Sequence, residues 1–400
     1  MYDLLLKGGE VIDVMQGIHG RQDVGVKDGK IATVEQNIDE SRARKVIPVN
    51  GRLVTPGLVD LHCHPTEGLI QIGVASDQIG LDSGVTLLCD AGSAGASNFH
   101  TVRRFIVGSS RTDMFFFLNL ATTGIVRMPE ILQEHDIDTE WSKQVVEENR
   151  DLIKGIKLRA IQPLAESVGI RAVEIGKKLA TDLKLPFMMH IGWPRERVAN
   201  DLMDDFTRAA VKLMEKGDIL SHFMTSEAGG LILPNGNVFP EMWEAQKRGV
   251  IFDSCHGRRH FSFTVARHAL QQGLLPTVIS TDLATRSMPF VQSLMVTMSK
   301  FLNLGLTIGQ VVEMTTINPA RALGEEARWG SLKPGMPANI TVMEIVEGEY
   351  LFSDGKGGNS LQGSLLLEPR LVLKRGVEYA CCSRYYIPPT YTDMQQFGVP

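Results

Sequence analysis

Eight short apolar runs, separated by stretches of helical character, constrain this chain more than any other feature. The runs are 58–63, 85–90, 115–121, 154–159, 186–190, 218–223, 250–255 and 276–281. Between and after them, periodicity predicts helices over 141–153, 164–183, 198–216, 239–248, 263–273, 288–304, 307–315 and 318–323. Strands that are apolar on both faces belong to a parallel sheet covered by helices. Eight such units predict a (β/α)8 barrel, a TIM barrel, over residues 55–326. In that architecture chemistry gathers at the carboxyl ends of the strands. The polar residues that close the apolar runs are therefore the first place to look for function.

The flanks read differently. Residues 1–54 alternate in short β-like pieces, Leu4–Leu6, Val11–Val14, Val24–Lys27, Ile31–Val34 and Lys45–Pro48, with a hairpin signal at Asp28-Gly29. Residues 327–380 return to the same character. The two flanks are expected to pair into one small β-sandwich with the barrel inserted between them. Gly355–Gly363 reads as an exposed loop. The C-terminal tail, 381–400, is rich in Tyr and Pro and either wraps a neighbour or is loosely ordered.

Composition narrows the class. Of 400 residues 43% are hydrophobic and 22% charged, which suits a packed core. A net charge of −5 without a basic block argues against nucleic acid as a partner. No uninterrupted apolar run approaches the roughly 18 residues of a membrane span. Asp3 and Lys7 come too early for a signal peptide. Five cysteines cannot all pair within one chain, so a reducing, cytoplasmic setting is expected.

The first run ends in His62-Cys63-His64. Residues i and i+2 of a strand share a face, so both imidazoles can reach one ion. Lys157, His190, His222 and Asp282 close the fourth, fifth, sixth and eighth runs. His62, His64 and Asp282 suit one divalent ion, most naturally Zn²⁺, and His190 with His222 suit a second. Each set needs a bridge. A plain ammonium would repel both ions, but Lys157 carbamylated by CO₂ offers two carboxylate oxygens, and burial favours the reactive amine. The expected chemistry is hydrolysis of a carbonyl compound by a bridging hydroxide, with Asp282 as general acid and base.

This ordered set resembles the amidohydrolase superfamily, in its two-metal, carbamylated-lysine subtype. Three further stretches are similar to that family's motifs: Val54–His64, Asn318–Gly324 and Gly330–Asn339, the last with Asn339 where Asp is usual. Asp90–Phe99 resembles the group described as dihydroorotase-like or deacetylase-like. The resemblance implies a small-molecule substrate and a homo-oligomer.

Blander readings stand beside these. His62 and His64 also suit a core, and Lys154 competes with Lys157 for the bridge. Asp282 also suits a helix N-cap. Asp60 reads as structural, or as a partner to a ligating histidine. Arg159 pairs either with a substrate carboxylate or with a barrel acid. His256 is either a pocket residue or a loop histidine. Ser93 and Asn98 are expected to line the pocket. His19, His100, His135, His260 and His268 carry no pattern, and Cys63 is expected to point into the core.

The leading expectation is hydrolysis of an exocyclic amide or ester on a small carboxylated molecule. Ring opening of a cyclic amide is the alternative. Deamination is disfavoured, because Trp193 stands where a His-x-x-Glu shuttle would place Glu after His190. A scaffold without metals is disfavoured by the presence of all six ligand types.

Overall fold

The structure is a computed structural model that describes residues 1–356, 359–382, 386 and 387. Its strands, in chain order, are β1 (Tyr2–Asp13), β2 (Ile18–Lys27), β3 (Lys30–Glu35), β4 (Ala43–Pro48), β5 (Leu53–Pro56), β6 (Leu58–Cys63), β7 (Val85–Ala91), β8 (Asp113–Asn119), β9 (Ile153–Arg159), β10 (Phe187–His190), β11 (Ile219–Ser221), β12 (Ile251–Asp253), β13 (Ile340–Ser353), β14 (Ser360–Lys374) and β15 (Val377–Ala380).

Seven strands, β6 to β12, pair in sequence order and all in parallel. The eighth apolar run forms no regular strand. It makes single bridges instead, Val278 to Asp253 on β12 and Leu283 to Cys63 on β6. Thr277 and Val278 N–H still donate to Phe252 C=O on β12, but Ile279 N–H goes to Met314 C=O and Thr281 N–H to the Asp60 carboxylate. The run still spans the gap between the two edge strands.

Every other side chain of successive strands packs into one interior cluster, including Val59, Leu61, Leu87, Phe117, Met188 and Ile219. Leu323 and Trp329 close it from below. The register slips between Asp60 and Cys63. That irregularity exchanges the faces of β6, so His62 and His64 turn inward above Leu61 although strict alternation would oppose them. It also separates Asp60 from the histidines with which period-two counting grouped it. Cys63 faces outward, its thiol on the Cys89 carbonyl.

Helices cover the outside. Three predicted segments are markedly shorter than expected, Thr139–Glu148, Ile170–Leu183 and Leu202–Lys212. The expected helix over 288–304 breaks at Gln292, whose φ is +64°, and restarts as Leu294–Asn303 with Ser293 as its N-cap.

The second sheet has the order β15-β14-β13-β5-β1-β2-β3, with β4 beside β1. It draws strands from both ends of the chain. Leu4–Leu6 and Val11–Val14, expected as two strands, are largely one strand with an irregularity between Leu6 and Gly9. The Gly355–Gly363 loop is shorter than expected, because β14 begins at Ser360, and Asp354 and Gly355 are buried. Of the tail, Tyr386 hydrogen-bonds the Leu351 backbone and Ile387 N–H reaches Gln292 Oε1, so these two lie on their own chain. Most of the 381–400 expectation falls outside the described residues.

Candidate metal centre

The six residues singled out for metal binding converge at the carboxyl ends of the parallel strands. His64 Nε2 lies 3.1 Å from Asp282 Oδ1, and His62 Nε2 lies 4.0 Å from the same oxygen. Lys157 Nζ is 3.3 Å from His62 Nε2, and His222 Nε2 is 4.0 Å from Asp282 Oδ2. The His190 and His222 rings are 4.2 Å apart. Their neighbours aim them. Asp253 Oδ2 accepts from His62 Nδ1 at 3.1 Å, and Ser221 Oγ donates to that same oxygen. The Cys255 carbonyl accepts from His222 Nδ1 at 2.8 Å. Ser93 Oγ sits 2.8 Å from His64 Nδ1 and is set by the Asp90 carboxylate, which accepts the Gly92 and Ser93 N–H groups. In each case an outer partner occupies Nδ1 and leaves Nε2 facing the cluster, the arrangement a ligating histidine needs.

Protonation states agree. Burial, with Lys157 and the other imidazoles, holds His62 well below its ordinary range; burial also depresses His190 and His222. All three are neutral near pH 7, as metal ligation requires. Burial lowers the Lys157 ammonium to about 8. Burial tends to raise Asp282, but the bonded His64 and the nearby imidazoles outweigh it and hold the acid at about 2.

These residues fit a divalent cation. Donor atoms of His62, His64 and Asp282 all lie within 4.8 Å of one another. His190 Nε2 is buried without a hydrogen-bond partner among the described residues. Among the described residues no carboxylate is bonded to Lys157, whose Nζ meets His62 instead, and so tight a cluster of imidazoles is a poor place for a plain ammonium. His222 and Asp282 adopt φ of +68° and +52°, and Cys255 φ of +36°. Such angles cost a non-glycine residue energy and persist where packing enforces them, commonly at functional sites. Cys255, which had not been assigned to the site, brings its sulfur within 4.8 Å of donor nitrogens of both His62 and His222.

A cavity of about 240 Å³ opens over the cluster, with His62, His64, Lys157, His190 and Asp282 in its wall. Four guanidinium groups join that wall: Arg159, Arg258, Arg259 and Arg286. Arg159 also donates to Glu130 at 2.8 Å, so both readings of it from the sequence describe part of its surroundings. Three expectations need correction. Asn98 accepts from Gly95 N–H in its own loop and donates to Thr123 C=O in the loop after β8, and does not line the cavity. Ser93 acts behind His64 instead of on a ligand in the cavity. His256 is fully buried behind the wall, stacked on Phe261 and bonded to Lys300.

Conversely, His260 had no pattern to mark it. Its ring lies 4.6 Å from both His190 and His222, in the cavity wall. The one available signal was its place in Gly257-Arg258-Arg259-His260, directly after the seventh apolar run. Asp60 binds the Thr281 backbone and hydroxyl, so Asp253, not Asp60, orients His62.

The pattern that defines the amidohydrolase family matches residues 257–362. A protein named deacetylase from Agrobacterium fabrum is 36% identical over 362 residues, 90% of this chain and 86% of that one. A deacetylase from Brucella anthropi is 34% identical over 363 residues, 90% of this chain and 87% of that one. Among solved structures, an adenine deaminase superposes with a TM-score of 0.85 at 29% identity, covering 95% of this chain and 100% of that one. A dihydroorotase superposes with a TM-score of 0.83 at 32% identity, covering 94% and 99%.

Proposed function

The chain belongs to the amidohydrolase family, and on that premise we propose that it is a metal-dependent deacylase acting on an exocyclic amide or ester of a small carboxylated molecule. The observation that carries this reading is the His62–His64–Asp282 cluster, with Lys157 beside it, opening into a cavity walled by four arginines. The relatives named deacetylase support the acyl chemistry. The guanidinium groups favour a carboxylate in the substrate.

In this reading His62, His64 and Asp282 would hold one divalent ion, zinc being the first candidate, His190 and His222 would hold a second, and Lys157, carbamylated by CO₂, would supply the further carboxylate. Divalent ions at such a site polarise a carbonyl and lower the pKa of water toward neutrality. Asp282, ionised at neutral pH, takes a proton from the attacking water and returns it to the leaving nitrogen or oxygen. Asp253, Ser221 and Ser93 keep the imidazoles in register. Residues 55–326 form the catalytic unit in this reading, with 1–54 and 327–380 as its supporting domain. The free cysteines fit a cytoplasmic setting. No helix among the described residues is long and apolar enough to cross a membrane. A homo-oligomer is part of the proposal, to be checked by light scattering.

The deciding experiment is mass spectrometry of products formed by the zinc-loaded protein, purified with bicarbonate. Its panel holds N-acyl amino acids, O-acyl hydroxy acids and cyclic ureides. Two fragments that together carry one added water support the deacylase. A single product heavier by one water would replace it with a ring-opening enzyme, and loss of ammonia would replace it with a deaminase. For the bridge, Lys157→Ala should lose metal and regain part of it with formate or acetate. Two ions retained without added acid would refute the carbamate.

A further inference from the structure

Lys300, on the helix Leu294–Asn303, is completely buried, and the proposed chemistry does not use it. Its Nζ donates to Phe290 C=O at 2.8 Å, to Ser353 C=O at 2.9 Å and to His256 Nε2 at 2.8 Å. An ammonium has three donors, and here all three end on neutral acceptors. Burial lowers the group to about 7 in spite of nearby Asp354. A lysine in such a place costs stability relative to a hydrophobe of its size, so what it connects matters.

It connects three segments: the short helix Met288–Val291, the end of β13 and the loop that follows β12. That loop is tied to the segment carrying Asp282, with His256 N–H on Ser280 C=O and Gly257 N–H on Thr281 C=O. Gly257, at φ +58°, packs so closely that a Cβ there would lie 2.6 Å from Asp282 Oδ2. The next residues, Arg258, Arg259 and His260, enter the cavity wall. From the other side the β13–β14 turn presses on the same loop. A Cβ on Gly355 would lie 1.7 Å from the Arg258 carbonyl oxygen. The Asp354 carboxylate accepts Phe263 N–H, and Lys356 reaches Glu227, which sits 3.4 Å from Arg259 Nε.

We propose that Lys300 is a positioning residue: through His256 and the β13–β14 turn it fixes Arg258 and Arg259 in the cavity wall, so that the second sheet sets the preference for acidic over uncharged acyl substrates. The proposal rests on the deacylase reading for its substrate and on the hydrogen bonds above for its mechanism.

The test uses the full chain, zinc-loaded, with N-acetylphenylalanine and its uncharged amide, N-acetylphenylalaninamide, as probes. Lys300→Met keeps the length and removes the donors. It should raise KM for the acid about tenfold, the loss of a loosened charged hydrogen bond, with kcat nearly kept and the amide unaffected. Gly355→Ala, which pushes the Arg258 carbonyl from the other side, should shift the acid-to-amide preference in the same direction. Amide hydrogen exchange should rise over residues 256–263 in Lys300→Met. A folded Lys300→Met protein with unchanged preference, or with equal loss on both probes, would overturn the proposal. If that variant does not fold, unchanged preference in Gly355→Ala overturns it. If the wild type cleaves neither probe, the acid cleaved in the product panel and its uncharged amide take their place; if the panel holds no such acid, the deacylase reading fails by itself. Exchange then decides the clamp, since unaltered protection over 256–263 in either variant refutes it.

Discussion

Single residues here are placed by partners one layer further out. Asp282 is held ionised at neutral pH by His64 and the nearby imidazoles, so it is ready as a base there. Asp282→Asn should lower kcat by about 10²- to 10⁴-fold while circular dichroism stays unchanged, and near-normal turnover would remove Asp282 from the chemistry. Asp253 is not in the wall of the cavity over the cluster, yet it fixes His62, and burial pushes its own pKa up to about 6. Asp253→Asn is expected to weaken metal affinity about 10- to 100-fold in a chelator competition assay. The ligands were legible in the sequence because each closes an apolar run, a periodic signal that survives without the fold. Asp253 also closes such a run, but nothing in its spacing says that it meets His62 across the barrel. His260 and Lys300 act through loop packing, which has no period.

At the level of elements, the eight runs were legible as units, while their regularity was not. The eighth run gives two of its backbone donors to the Asp60 carboxylate and the Met314 carbonyl, partners far away in sequence. The reversal of faces in β6 has the same character, since the slip at Asp60–Cys63 depends on pairing with β7. Helix boundaries followed caps more than periodicity. Leu202–Lys212 starts where Asp201 accepts Met203 N–H, and Arg195 grips the same carboxylate at 2.6 and 2.7 Å. The Arg195 hydrogen bonds hold Asp201 well below the usual carboxylate range. A carboxyl whose pKa is lower in the folded state contributes stability above its unfolded value and loses it as pH falls through the folded one. Asp201→Asn keeps a capping side chain and removes the charge. It should cost about 1 kcal/mol at pH 7, and in denaturant titrations the gap to wild type should close as pH drops below about 4. A gap independent of pH would mean that the ion pair contributes nothing.

Across the whole molecule, the six candidate ligands come from five of the eight barrel positions. Ions bound there would tie the barrel together, because they bind the folded chain and not the unfolded one. Free metal at a hundred times Kd adds about 2.7 kcal/mol. Stripping with a chelator should therefore lower the calorimetric Tm by several degrees, reversibly on adding zinc. An unchanged Tm would argue that no ion is held in the folded state. The sheet built from both ends of the chain has a further consequence, in time. β5 lies between β1 and β13, and its residues Leu53–Pro56 pair with Ile340–Met343. At about 5–20 residues per second of synthesis, that edge waits roughly 15–60 s on the ribosome for its second partner. Every residue of the candidate cluster emerges during the wait, and the β13–β14 hairpin that packs on the arginine loop emerges after all of them. A nascent chain thus carries its candidate ligands well before the segment that holds their rim, and the wall of the cavity is completed after its floor.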